Sequence, residues 1–108
     1  PLVYDGAGGE LPQPLRGGYP LGLFEAAAFE VQRTIVPRGG TLVLYTDGVT
    51  EAMNEQREFF GRKRLRMALQ SAPHGSAQAL CDDLVDEVIA YQGAAGLSDD
   101  ITVLAVRA

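Results

Sequence analysis

Two acidic sites in the sequence have the residue types and setting for metal chemistry. Asp47 follows the most apolar strand-like run, Thr41-Leu42-Val43-Leu44-Tyr45, and precedes Gly48. Asp99 and Asp100 stand immediately before the run Ile101 to Val106. If the two runs are neighbouring strands of one sheet, Asp47 and Asp99 project from the same rim. Carboxylates that meet there repel each other unless a cation lies between them. Hard oxygen ligands suit Mg²⁺ or Mn²⁺, with water filling the remaining octahedral positions. Two such ions about 3.5–4 Å apart hold and deprotonate a bridging water for attack on a phosphoryl group. Gly48 would let the backbone come close to the metal or its waters. A plainer reading stands beside this one. Asp-Gly is also a turn sequence, and Asp-Asp before a strand is also a solvated turn.

Other chemistries find less support. His74, the only histidine, lies between Pro73 and Gly75 in a helix-to-helix loop. A Ser-His-Asp set cannot be built without it. Cys81, the only cysteine, falls in an apolar helical pattern and reads as a small buried hydrophobe. The pairs Gly17-Gly18 and Gly39-Gly40 lack the Lys and Ser/Thr of a phosphate-binding loop.

The elements that must position the acidic sites are legible in outline. Leu2-Val3-Tyr4 followed by Asp5-Gly6 predicts a strand and a tight turn, with Gly9-Glu10-Leu11 returning. Pro12 and Pro14 confine that return to a short or edge strand. The stretch from Arg16 to Phe24 reads as a loop with Leu21 and Leu23 tucked against the core. From Ala27 to Val36, Phe29, Val31 and Ile35 alternate with polar residues, which predicts a half-buried strand. Pro37-Arg38-Gly39-Gly40 is a turn. The run 41–45 is apolar enough to be covered on both faces. Leu65, Ala68, Leu69 and Ala72 share one face of a helix that starts near Gly61 and ends at Pro73-His74-Gly75. Leu80, Cys81, Leu84, Val85, Val88 and Ile89 form the stripe of a second helix, with Ser76 as its N-cap and Gly93 and Gly96 closing it. Ile101 to Val106 is the last strand. The order β-β-β-β-α-α-β implies an α+β architecture with a largely antiparallel sheet.

Composition sets the outer limits. With 108 residues, 46% hydrophobic and 21% charged, residues 1–108 read as one soluble domain or a piece of a larger one. Because the chain starts at Pro1, already in a strand-like run, it reads as cut from something longer. A net charge of −5 disfavours nucleic acid and anionic membrane as partners. The basic cluster Arg62, Lys63, Arg64 and Arg66 is too short to reverse this and reads as a solvated helix face. No signal peptide or membrane-length apolar run is evident, so the expected location is the cytoplasm.

The run Leu42-Val43-Leu44-Tyr45-Thr46-Asp47-Gly48-Val49-Thr50-Glu51-Ala52-Met53-Asn54, then Glu58-Phe59-Phe60-Gly61, resembles one family closely. So does Ser98-Asp99-Asp100-Ile101-Thr102-Val103-Leu104-Ala105-Val106. These look like the last motifs of the PPM-type (PP2C-like) serine/threonine phosphatases. The branch is that of the sporulation phosphatase and the stress-response regulators of anti-sigma antagonists. Pro20-Leu21-Gly22-Leu23 and Pro37-Arg38-Gly39 fall where that branch has similar loops. The resemblance implies a PP2C-like β-sandwich flanked by helices, of which this chain supplies the second half. It implies a centre of two Mn²⁺ or Mg²⁺ ions, with Asp47 and Asp99 as metal ligands and catalytic residues. Gly48 would adjoin the site, and Asp100 would stand behind the ligands without direct coordination; Glu51 has no assigned role.

The implied substrate is a phosphorylated protein, an anti-sigma factor antagonist, dephosphorylated by metal-activated water. The family's earlier motifs, an acidic "D-x-x-G-H-G"-like ligand and a "G-H-x-P" segment, are absent from these residues. Gly40 stands where the family commonly has Asp. The 108 residues alone are therefore expected to be inactive, and an unpaired sheet edge would favour a homodimer. Competing readings are a degenerate PPM-like fold that binds a partner protein, and a generic divalent-cation module.

Overall fold

In the computed structural model, the structure describes residues 1–13, 17–18, 20–70, 75–96 and 99–108. The predicted hairpin forms from β1 (Leu2–Tyr4) and β2 (Glu10–Leu11), paired antiparallel with Val3 opposite Leu11. Its turn is held by Asp5, whose Oδ1 accepts from the amides of Ala7 and Gly9 at 2.9 and 2.8 Å. An aspartate side chain that folds back on its own backbone in this way favours a turn over continued strand. β3 (Thr41–Tyr45) pairs antiparallel with β1, and β4 (Val103–Arg107) pairs antiparallel with β3. The strand order is β2-β1-β3-β4, so the proline-limited β2 lies at an edge as expected. Gly39, at φ +77°, makes the turn into β3, and the Gly40 amide closes it on the Pro37 carbonyl at 2.8 Å.

One face of the sheet carries the core. Leu2, Tyr4 and Val43 pack there with Val49, Ala52 and Phe60, beneath two long helices. α2 (Gly61–Gln70) buries Leu65, Ala68 and Leu69. α3 (Ala77–Gln92) buries Leu80, Leu84 and Val88, a spacing of four that keeps one face inward. Ser76 caps α3, its Oγ accepting from Ala79 N at 3.0 Å. A cap of this kind contributes about 1 kcal/mol. A short 3₁₀ turn at Gly93–Ala95 ends the helix. Cys81 is half-buried rather than fully buried, with Sγ 3.9 Å from the Val103 carbonyl oxygen.

Several sequence expectations need correction. Residues 27–36 form no strand, and Ile35 is 84% exposed. Alternation decides which side chains share a face, but it supplies no backbone partner, and no described strand pairs with this segment. Leu21 and Leu23 are exposed, not tucked against the core. β3 is covered on one face only. On the other face Leu44 lies opposite Leu104 and Leu42 opposite Val106, and Leu44, Leu104 and Val106 are all exposed. Ile89 turns outward, at the margin of the α3 stripe. The last strand begins at Val103, two residues later than predicted. Arg66 is half-buried rather than solvated, paired with Glu10 at 2.9 Å. The expected helix end at Pro73-His74 and the Leu97-Ser98 half of the last turn lie outside the described residues. The architecture is otherwise the α+β arrangement expected, with every strand pair antiparallel.

Candidate metal-binding rim

The pairing of β3 with β4 places the two acidic segments at one end of the sheet. Tyr45 stands opposite Val103 as the last pair of the ladder. Beyond it, the Thr46 amide donates to the Thr102 carbonyl oxygen at 3.1 Å. In return, the Thr102 amide donates to Thr46 Oγ1 at 3.2 Å. Thr46 thus extends the strand register by one residue with its side chain. Immediately outside this pair stand Asp47 on one strand's continuation and Asp100 and Asp99 on the approach to the other.

Asp47 does not sit in a simple turn. It opens a four-residue helix, α1 (Asp47–Thr50), with Thr46 in extended conformation as the residue before it. A carboxylate in a helix's first turn is electrostatically favourable, because the free amides there carry partial positive charge. Gly48 follows and is buried. A Cβ built there would overlap the Asp100 carbonyl oxygen and come within 3.4 Å of Ile101 Cα. The glycine therefore serves a close backbone crossing between the two acidic segments.

Asp47, Asp99 and Asp100 are all exposed. Asp99 Oδ1 accepts from the Asp100 amide at 2.7 Å, which leaves its second oxygen free of that bond. The donor set at the rim is thus oxygen-only, which suits a hard divalent cation that keeps several waters. Among the described residues no group of three or more His, Cys, Asp or Glu side chains gathers as an ion cage. Glu51 is exposed, and only its backbone takes part, its amide donating to the Asp47 carbonyl oxygen at 2.8 Å. His74 lies outside the described residues.

The segment after the rim is clamped. Asn54 Oδ1 accepts from the amides of Gln56 and Glu58, folding residues 54–58 into a turn in which Arg57 adopts φ 61°. The Tyr91 hydroxyl donates to the carbonyl oxygens of Glu58 and Phe59 at 3.0 and 3.2 Å. Its ring meets Phe60 edge-to-face at 5.3 Å, and the Arg64 guanidinium stacks over it at 4.8 Å. These contacts fix α2 and α3 to the chain leaving the rim.

Sequence reasoning missed the two threonines. Their signal is slight: a threonine directly before Asp-Gly, and another two residues after Asp100. Tyr4 was also missed. Its hydroxyl is buried without a hydrogen-bond partner among the described residues, and burial, reinforced by the nearby Glu10 carboxylate, pushes its pKa up to about 12.

Comparison with known proteins agrees with this architecture. The model of the family described as Stage II sporulation protein E (SpoIIE) matches residues 1–108. Protein IcfG of Synechocystis sp. (strain ATCC 27184 / PCC 6803 / Kazusa) is 34% identical over 89 residues, which are 82% of this chain and 14% of IcfG. The phosphatase domain of the cell fate determinant SpoIIE from Bacillus subtilis matches with a TM-score of 0.66 at 20% identity, over 98% of this chain and 46% of that one. At that identity the likeness is one of fold. The SiaA-PP2C domain of Pseudomonas aeruginosa matches with a TM-score of 0.59 at 29% identity, over 68% of this chain and 30% of that one. The chain spans less than half of either solved domain and a smaller share of IcfG. A family model matched from end to end and a fold shared with PP2C-like phosphatase domains together make this chain a member of the SpoIIE family.

Proposed function

We propose that this chain is part of a metal-dependent phosphoprotein phosphatase domain, in which Asp47 and Asp99 are metal-holding carboxylates and thereby catalytic. The observation that carries the reading is the junction of the two acidic segments at one rim, through the Thr46–Thr102 hydrogen bonds and the Gly48–Asp100 crossing. Asp47 and Asp99 would each offer a carboxylate oxygen to Mn²⁺ or Mg²⁺. Gly48 keeps the two segments in contact, and the Asp100 backbone receives that contact behind the ligands. When bound, such a pair of ions lowers the pKa of water and neutralises charge on a phosphoryl group. No phosphoenzyme is needed, because water is the nucleophile.

The substrate class on this reading is a protein phosphorylated on serine or threonine, an anti-sigma factor antagonist in partner-switching signalling. Membership of a family described by a sporulation protein supports it. Among the described residues no group of three or more His, Cys, Asp or Glu side chains forms an ion cage, and the 108 residues alone are expected to be inactive. The same fact favours a second reading, a PPM-like module that binds a partner and performs no chemistry. Among the described residues no helix is long and apolar enough to cross a membrane. The exposed apolar face of β3 and β4 is compatible with a homodimer as well as with a second layer of the same domain.

The test is Mn²⁺-dependent hydrolysis of a phosphoserine protein by the full-length protein beside its Asp47→Asn and Asp99→Asn variants. Activity in the wild type that falls at least a hundredfold in each variant is the expected result. A folded wild type with no activity on any phosphoprotein would transfer the weight to the partner-binding reading.

A further inference from the structure

α1 is four residues long, and a helix of that length does not stand by itself, because fixing its first turn costs more than its few hydrogen bonds return. Its conformation, and with it the place of Asp47, is imposed by what it touches. On the entry side the Thr46–Thr102 bonds and the Gly48–Asp100 crossing do this. The exit side has its own support. Val49 and Ala52 are fully buried, and the Ala52 carbonyl oxygen accepts from the Phe60 amide at 2.7 Å. Met53 and Phe59 form an antiparallel bridge beside that bond. Residues 52–60 thus make a tight loop whose return arm holds the end of α1.

The return arm lies outside the four-stranded sheet, and two side chains take the place that ladder bonds have in β3 and β4. The Tyr91 hydroxyl is shared between the carbonyl oxygens of Glu58 and Phe59. Arg64 Nη1 is shared between those of Phe59 and Phe60, at 3.0 and 3.2 Å. Three successive carbonyls are therefore bound by one tyrosine from α3 and one arginine from α2. The guanidinium also stacks on the Tyr91 ring, and the ring meets the buried Phe60, so each donor is oriented by packing. Bonds from a charged donor are the stronger kind.

We infer that Tyr91 and Arg64 are positioning residues for Asp47. By holding the Glu58–Phe60 arm they hold the end of α1, and so fix where Asp47 stands at the rim. The backbone part of the inference is independent of any ion, and its consequence for Mn²⁺ or Mg²⁺ rests on the phosphatase reading. Both residues act through the loop 52–60, outside the transfer chemistry.

The experiment uses the full-length protein and its Tyr91→Phe variant, which keeps the ring contacts and removes only the hydroxyl donor. Ser76→Ala, which removes the distant cap of α3, is the control for a loss of stability that bypasses the rim. In hydrogen exchange without added metal, the amides of residues 49–52 are expected to exchange about fivefold faster in Tyr91→Phe. Ser76→Ala should leave them at the wild-type rate. Arg64→Met should act in the same direction as Tyr91→Phe, and Arg64→Lys should recover part of the effect. In assays with a phosphoserine protein, the Mn²⁺ concentration for half-maximal activity should rise about fivefold in Tyr91→Phe, with KM for the protein unchanged. Ser76→Ala should keep the wild-type Mn²⁺ requirement. Unchanged exchange at residues 49–52 in a folded Tyr91→Phe protein would overturn the inference. An unchanged Mn²⁺ requirement in an active Tyr91→Phe enzyme would overturn it as well. Faster exchange in Tyr91→Phe, where the wild type itself shows no metal-dependent hydrolysis, would count against the phosphatase reading alone.

Discussion

Thr46 and Thr102 exchange two hydrogen bonds across the end of the sheet, one between backbones and one that uses the Thr46 hydroxyl in place of a carbonyl. The pair is the structural seam between the two acidic motifs. The two threonines are 56 positions apart in sequence.

Thr46→Val keeps the shape of the side chain and removes the acceptor. The Thr102 amide then loses its partner in an exposed setting, where water partly replaces it. A stability loss of about 1 kcal/mol is expected, read by urea unfolding of the full-length protein. Metal-dependent turnover should fall further than that loss explains, and Thr46→Ser should restore both. Full activity in Thr46→Val would show that the hydroxyl bond does not align the rim.

Gly48→Ala places a methyl group against the Asp100 carbonyl oxygen, a backbone atom that cannot rotate away. Either α1 or the approach to β4 must shift. Overpacking of this kind costs typically 1–3 kcal/mol. If the rim holds metal as proposed, the same variant is expected to lose affinity for Mn²⁺ by calorimetry, because the shift moves Asp47 relative to the approach to β4. A wild-type melting temperature in Gly48→Ala would refute the crossing.

Tyr4 predicts an alkaline instability. Its pKa is raised from the ordinary 10.0 to about 12, first by burial and then by Glu10. The unfolded chain therefore releases the phenolic proton before the folded one does. The stability linked to Tyr4 is whole below pH 10 and drains between pH 10 and 12, at roughly 1.4 kcal/mol per pH unit. Tyr4→Phe should flatten that slope in denaturation series across this range. At pH 7 it should be neutral or slightly stabilising, since it removes a buried hydroxyl that has no hydrogen-bond partner. An unaltered slope would place the alkaline loss elsewhere.

Much of the scaffold was legible because its signals are local. The apolar β-branched run 41–45 declared a strand, Asp5-Gly6 declared a turn, and Ser76 with its fourfold stripe declared α3. The pairing of the two runs that flank Asp47 and Asp99 followed from reading both as strands of one sheet. Harder to see were effects that depend on what lies across the fold. The pattern at Phe29, Val31 and Ile35 has the right alternation, but alternation cannot say whether a partner strand exists. The single-sided burial of β3 is equally invisible, because a continuous apolar run looks the same whether or not a second layer is present. The tight crossing at Gly48 was also out of reach. Its constraint comes from a backbone carbonyl contributed by a distant segment, which no spacing rule encodes.

The order of strands also bears on when the rim comes into being. β3 is central, flanked by β1 and by β4, and its bond to Thr102 closes a loop of 56 positions. Closing a loop of that length forfeits chain entropy before any contact is gained, while the turns of α2 and α3 form from neighbours in sequence. The helices are thus expected early and the β3–β4 seam late in folding. The Thr46–Thr102 bonds and the Gly48–Asp100 crossing thus form only in the last stages. If the rim holds metal as proposed, its affinity would serve as a clock for the completion of the fold.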